Sequence, residues 1–361
     1  SISFRLHIIW NRASGWCVSN RLRMKISHLL SFYLVLTIVI VLYATEALAE
    51  LTASDVAATV NSAKQGDPNS QYNVGLMFEN GQGVVQDFSQ AVLWYSKAAE
   101  QNHAKAQFNL GFLYDNGIGV RQNFQQAAYW YDKAAQQGDP YAQYNLGLMY
   151  DSGQGIPPDP AQATVWLNKA ARQGHAASQF ALAKMLIQGR GITRDLPEAI
   201  RWFQKAANSG NVNAQFELGI RYQTGQGLSK DLKKSFGYLQ KAAEQGLISA
   251  QFNLALMYQS GIGTNKKLSE AAKWMQKAAE QGNYEAQCNL GVMYAKGEGV
   301  PLDNVKAYAW LAVSAVNGNN QAVANKVQVQ TRLSEKKLTE AESLALTYYT
   351  QYQSRPLQDT R

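Results

Sequence analysis

Small, aromatic and polar positions recur along this chain with a fixed step. A glutamine preceded by a small residue stands at Gln71, Gln107, Gln143, Gln179, Gln215, Gln251 and Gln287, each 36 residues after the last. A fixed period of this size marks a solenoid, in which each unit buries its apolar face only against its neighbours. The stretch from Ala106 to Pro140 shows one unit in full. Gln107 to about Asp115 sets Leu110, Gly111, Leu113 and Tyr114 at helical spacing, and Phe124 to Gln137 does the same with Ala127, Trp130, Tyr131 and Ala134. The pattern predicts an all-α solenoid of seven 36-residue helix-turn-helix repeats over residues 70–318.

The punctuation agrees with that reading. A Gly-x-Gly turn, Gly117 and Gly119 in the second unit, recurs from Gly81/Gly83 to Gly297/Gly299. Glycine suits the end of the first helix because it takes the left-handed conformation without a Cβ clash. Asp87, Asn123, Asp159, Asp195, Asp231 and Asp303 are placed to cap the second helices, and only Lys267 breaks that series. Gln90, Gln126, Gln162 and Glu198 are spaced to complete capping boxes. Gly138, Gly174, Gly210, Gly246, Gly282 and Gly318 then close the second helices.

Glycine inside a helix costs about 1 kcal/mol against alanine, yet Gly75, Gly111, Gly147, Gly219 and Gly291 share one slot, with Ala183 and Ala255 in the other two units. Close helix approach explains this, with Ala91, Ala127, Ala163, Ala199, Ser235, Ala271 and Ala307 facing them. Trp94, Trp130, Trp166, Trp202, Tyr238, Trp274 and Trp310 form an aromatic ladder that reads as core. Residues 50–69 echo half a repeat and read as an N-terminal capping helix from Ser54 or Asp55 to Gly66. Residues 319–361 read as a C-terminal capping pair and tail. Its helices run from Asn319 to Arg332 and from Glu335 to about Tyr352, with Ser334 as N-cap and Lys336, Lys337, Glu340 and Glu342 outside Leu338, Leu344 and Leu346.

These residues resemble the Sel-one-like repeat (SLR) family, relatives of the tetratricopeptide repeats. The matching pattern is Ala106, Leu110, Gly111, Tyr114, Gly117, Gly119, Val120, Ala127, Trp130, Lys133, Ala134, Ala135 and Gly138, with Asn123 where the family has Asp, and the likeness covers about residues 57–318. The resemblance implies a right-handed α/α superhelix acting as an adaptor for other proteins. Some cysteine-rich relatives are linked to β-lactam binding, but this chain lacks their paired cysteines.

Composition changes the picture at the N-terminus. The net charge of +8 looks basic, but the first 49 residues hold five basic side chains and one acidic, and without them the surplus is four. Charge therefore gives no sign of nucleic-acid binding. Residues 1–23, opening on Ser1, carry no repeat feature and read as an unassigned upstream segment. Residues 24–49 read as a secretory signal: Met24-Lys25, an apolar run from Leu29 to Ala44, and Ala47-Leu48-Ala49 before Glu50. Cleavage after Ala49 makes the chain periplasmic or secreted, and an uncleaved run is the one route to membrane attachment. Of the two cysteines only Cys288 lies beyond the signal, in an aromatic slot, where it reads as a small hydrophobe.

Little chemistry is visible. His103 and His175 read as solvated turn residues, 72 positions apart, and no residue set points to a metal or a cofactor. Ser334-Glu335-Lys336-Lys337 matches Ser-x-x-Lys without the partner motifs of a β-lactam enzyme. The sequence thus predicts an exported, non-enzymatic scaffold for protein or peptide partners, bacterial, at the envelope or a host interface. The alternatives are a β-lactam- or cell-wall-interacting enzyme and a membrane-anchored lumenal adaptor. The polar face of the second helix, as in Asp132, Lys133, Gln136 and Gln137, is expected outside. A second apolar stripe on the first helices is expected to line a concave partner groove: Tyr72, Leu76, Phe108, Phe112, Tyr144, Leu148, Phe180, Phe216, Ile220, Phe252 and Leu256, interrupted by Lys184. The same side chains could instead pack between successive first helices, and the charge of Lys184 favours the groove.

Overall fold

Fourteen helices of equal length follow from the repeat. The computed structural model describes residues 54–352. The candidate signal and its cleavage site, the upstream segment and the tail beyond Tyr352 lie outside the described residues. A helix over residues 54–64 precedes seven pairs: Pro68–Asn80 with Phe88–Glu100, Ala104–Asn116 with Phe124–Gln136, Pro140–Ser152 with Pro160–Arg172, and Ala176–Gln188 with Leu196–Asn208. Val212–Thr224 with Leu232–Glu244, Ile248–Ser260 with Leu268–Glu280, and Tyr284–Lys296 with Asn304–Val316 complete the series. Asn320–Gln330 and Glu335–Tyr352 then end it. The described residues hold 17 helices and no strand, so the fold is an all-α solenoid. It forms two compact units, one ending at Gln122 and one starting at Asn123.

Both ends of each helix are specified locally. The first helices stop at αL glycines, from Gly81 at φ 69° to Gly297 at φ 69°. The second helices start where Asp87, Asn123, Asp159, Asp195, Asp231 and Asp303 accept backbone N–H bonds in the first turn, and Lys267 leaves its helix without a side-chain cap. The expected capping boxes do not close in repeats 1, 3 and 4. There the cap residue's own N–H donates to a first-helix carbonyl, Asp87 to Phe78 at 2.9 Å, Asp159 to Tyr150 at 2.8 Å and Asp195 to Leu186 at 3.1 Å. That donor is already satisfied, which ties the two helices of a repeat together and leaves Gln90, Gln162 and Glu198 no partner to cap.

The small-residue slot is a contact point, where the expected alanine, Ala163 or Ala307, presents its carbonyl oxygen 3.3 or 3.1 Å from an added Cβ and a larger side chain comes closer still. A Cβ on Gly147 would lie 2.8 Å from the Leu167 side chain, and one on Gly75, Gly219 or Gly291 would meet Tyr95, Leu239 or Leu311 just as closely. The residue after the ladder aromatic therefore fills the joint; Tyr95, Leu239 and Leu311 are fully buried. Trp94, Trp166, Trp202 and Trp274 are buried, as expected of a core ladder, and Lys97, Lys169, Lys205 and Lys277 lie 3.8–4.2 Å above their rings. Between repeats the turn presses on the preceding second helix. A Cβ on Gly191 would stand 2.0 Å from the Pro160 carbonyl oxygen, so only glycine fits.

The marker glutamines have a structural role that the periodicity did not reveal. Each is buried and donates from Nε2 to a carbonyl at the end of the preceding helix, as Gln143 does to Ala135 at 3.1 Å and Gln251 to Ala243 at 3.2 Å. In four repeats its Oε1 accepts from a glutamine 30 residues on, as Gln173 to Gln143, Gln245 to Gln215 and Gln281 to Gln251, and Gln287 accepts from Asn317 in the same place. Gln179 has Ser209 in that place, and its Oε1 is buried without a partner. At the C-terminus Ala341 is buried and Tyr348 and Tyr352 pack on Trp310, whereas Leu346 is 65% exposed, contrary to its expected place beneath the cap. The Tyr348 hydroxyl is pushed up to about 12 by burial.

Candidate functional site

The expected apolar stripe lies on the first helices, and its residues are mostly half-buried. In the N-terminal unit Tyr72, Leu76 and Phe108 are half-buried, while Phe112 is 42% exposed beside the fully buried Leu113. In the C-terminal unit Leu148 is 38% exposed and Lys184 is exposed, its Nζ 5.7 Å from the Phe180 ring. Tyr144 and Phe180 pack against the core around Leu182 and Phe203, and Phe216, Phe252 and Leu256 pack against the core around Leu254 and Met275. Ile220 is also half-buried. The stripe thus reaches the core and the surface in each unit.

His103 and His175 differ from the solvated turn residues expected of them. Each is the N-cap of a first helix: Nδ1 of His103 accepts from Ala106 N at 3.1 Å and Nδ1 of His175 from Ser178 N at 3.3 Å. The ring of His103 stacks on Tyr72 with centroids 4.7 Å apart, and His175 lies 5.0 Å from Tyr144 and 4.9 Å from Tyr141. Burial holds both imidazoles below the usual histidine range, and so keeps the neutral form that can accept the N–H. The signal in the sequence was the slot: Asp67, Asp139, Asn211 and Asn283 cap the other first helices from the same place. Only Leu247 lacks a side-chain cap there.

A network in the N-terminal unit also escaped the sequence. The Tyr95 hydroxyl donates to the Glu79 carboxylate, and Asn109 bonds to Tyr95 and Tyr72. Burial, with the carboxylate beside it, raises the Tyr95 hydroxyl well above the tyrosine range. The second helices are less uniformly polar than expected, because Leu93, Tyr129 and Val165 are about half exposed on them.

No arrangement suggests a reaction centre among the described residues. Cys288 is buried, its thiol pushed up by burial, as a hydrophobe in an aromatic slot requires. Ser334 caps the last helix, with Lys337 N 3.4 Å from its hydroxyl, while Lys337 Nζ pairs with Glu340 at 2.7 Å. No group of three His, Cys, Asp or Glu side chains converges, and no helix is long and apolar enough to cross a membrane, among the described residues.

Tandem helical hairpins joined by glycine turns and stitched by glutamines define a class, the α-helical repeat solenoids. Within it this chain belongs to the Sel1 repeat family, whose model matches residues 68–103, 104–139, 140–175, 176–211, 212–247, 248–283 and 285–319. A Sel1 repeat protein from Oxalobacter formigenes is 35% identical with a TM-score of 0.66, the match covering 78% of this chain and 85% of that one. A protective antigen of uropathogenic Escherichia coli strains with an SLR fold, c5321, is 30% identical with a TM-score of 0.42, over 83% of this chain and 80% of its own. Comparison with the curated proteins gives no match. Sel1 repeat proteins are typically protein-interaction scaffolds, and the solenoid fold is typically non-enzymatic.

Proposed function

We propose that this chain is an exported, non-enzymatic scaffold that holds a protein or peptide partner on the first-helix face, in a bacterial envelope or at a host interface. The carrying observation is the exposure of Phe112 and Leu148, at 42% and 38%, on helices whose neighbouring side chains are buried. Apolar side chains left open beside a packed core are available to a partner's apolar anchors. Identity to the Oxalobacter formigenes protein supports the bacterial setting. Export rests on Met24-Lys25, the apolar run from Leu29 to Ala44 and the Ala47-Leu48-Ala49 site. In this reading the exported protein begins at Glu50, which N-terminal sequencing would read directly, and recovery of residues 29–44 in the membrane fraction would contradict it.

The partner face is tested by cross-linked pull-down and mass spectrometry with the mature chain. Phe108→Ala combined with Phe112→Ser weakens capture of the partners so identified and leaves the helical circular dichroism signal nearly unchanged. Unaltered capture, or collapse of the helical signal, removes these residues from the site.

A further inference from the structure

The turns of repeats 4 to 6 carry a charge pattern that the fold does not explain. The slot before the second-helix cap holds Gln86 and Gln122 in repeats 1 and 2, and each side chain ties its turn to the first helix, through Glu79 O at 2.8 Å and Asp115 O at 2.7 Å. In repeats 4, 5 and 6 the same slot holds Arg194, Lys230 and Lys266. All three are exposed, as are Lys233 and Lys267 beside them, and none of the five has an ion-pair partner among the described residues. Other cations nearby are already paired: Arg190 with Asp151, Arg201 with Glu198, Lys234 with Asp231 and Lys273 with Glu270.

These lysines work against their own helices. Cations at a helix N-terminus oppose the macrodipole. Lys267 also replaces a cap that Asp or Asn supplies in the other six repeats. A local rule broken with no compensating contact points to a use outside the fold. Stacking lines the groups up. A Cβ on Gly227 would lie 2.9 Å from the Leu196 side chain and one on Gly263 2.1 Å from the Leu232 carbonyl oxygen, so each turn abuts the residues that follow the previous turn's basic slot.

We propose that Arg194, Lys230, Lys233, Lys266 and Lys267 form a basic ridge that docks an acidic segment of a partner protein, at a surface distinct from the first-helix stripe. Single cations repeated along a solenoid edge match single carboxylates along an extended chain. Asp195, Glu198, Asp231 and Glu270 stand among them, which lowers the summed field a membrane or nucleic acid would need but leaves one-to-one pairing intact.

The test uses the mature chain and a fluorescein-labelled peptide of about ten glutamates, followed by anisotropy at about 50 mM salt, where screening is modest. Saturable binding is expected. Arg194→Gln, Lys230→Gln, Lys233→Gln and Lys266→Gln together should weaken it about tenfold, whereas Lys64→Gln, Lys105→Gln, Arg121→Gln and Lys336→Gln, an equal charge loss elsewhere, should change it less than about twofold. Equal weakening by both sets, or no saturable binding, overturns the ridge. Tighter binding to phosphatidylserine vesicles or single-stranded DNA, abolished by the first set, overturns the assignment to an acidic protein. Lys267→Asp should raise the thermal midpoint and weaken peptide binding, and a lowered midpoint would show that the lysine serves the fold.

Discussion

Repeats 3 and 5 share a period, a length and a place two repeats from either end of the series, yet they are built to different standards. In repeat 3 the first helix buries Met149, the second buries Leu167 and Trp166, and Lys169 covers the tryptophan at 3.8 Å. In repeat 5 the methionine slot holds Arg221, 8% exposed, with Nη2 2.7 Å from Glu217 and Nε without a partner. Tyr238 replaces the tryptophan, Ser235 replaces the alanine with an unbonded hydroxyl, and Gly237 sits mid-helix with no atom within 4 Å of an added Cβ. The turn differs as well. Gly155, Gly191, Gly263 and Gly299 press on a preceding carbonyl, but the atoms nearest a Cβ on Gly227 belong to the side chains of Leu196 and Ile200. A constant period therefore fixes topology while leaving stability to be set repeat by repeat, as nearest-neighbour stacking allows.

Degrading the better repeat should have the largest effect. Trp166→Ala removes a buried ring and is expected to cost about 3–5 kcal/mol in urea unfolding. Repairing the poorer one should do the reverse: Glu217→Asn with Arg221→Met, which restores the residues of repeats 1, 3, 6 and 7, is expected to gain about 1–3 kcal/mol, because it removes a buried guanidinium whose Nε has no partner. Gly237→Ala should add about 1 kcal/mol, since the helix gains propensity and the methyl meets open space. Ser209→Gln, which gives Gln179 Oε1 its missing donor, should add about 0.5–1.5 kcal/mol by the same measurement.

Acid should weaken repeat 4 relative to repeat 5. The first helix of repeat 4 is capped by His175 and that of repeat 5 by Asn211, which does not titrate. Burial depresses the folded-state value of His175, so its contribution is complete above the unfolded value near 6.5 and is lost as the pH falls from there through the folded value. A thermal midpoint that falls between pH 7 and pH 5, with less loss in His175→Asn, is the expected outcome.

Helices, turns and caps were legible in the sequence because they depend on a residue and its near neighbours. Gly81, Asp87 and their equivalents announce their roles in place, as does the break at Lys267. What escaped depends on contacts between distant residues. Gly147 meets Leu167 as well as the expected Ala163 because side-chain direction, not spacing alone, decides which atoms meet. Gln143 served as a marker of period, but its bond to Gln173 lies 30 residues away. His103 and His175 looked solvated because the cap slot was recognised only for the second helices. The apolar stripe was visible, but how far Phe112 and Leu148 stand out depends on neighbouring helices that periodicity alone does not place.

Amide hydrogen exchange at neutral pH, resolved by peptide, compares residues 140–172 with 212–244 directly. Stability set by local seams predicts that repeat 5 exchanges faster than repeat 3, and that Glu217→Asn with Arg221→Met slows repeat 5 and the repeats beside it. Equal protection in the two repeats, or faster exchange in repeat 3, would contradict it.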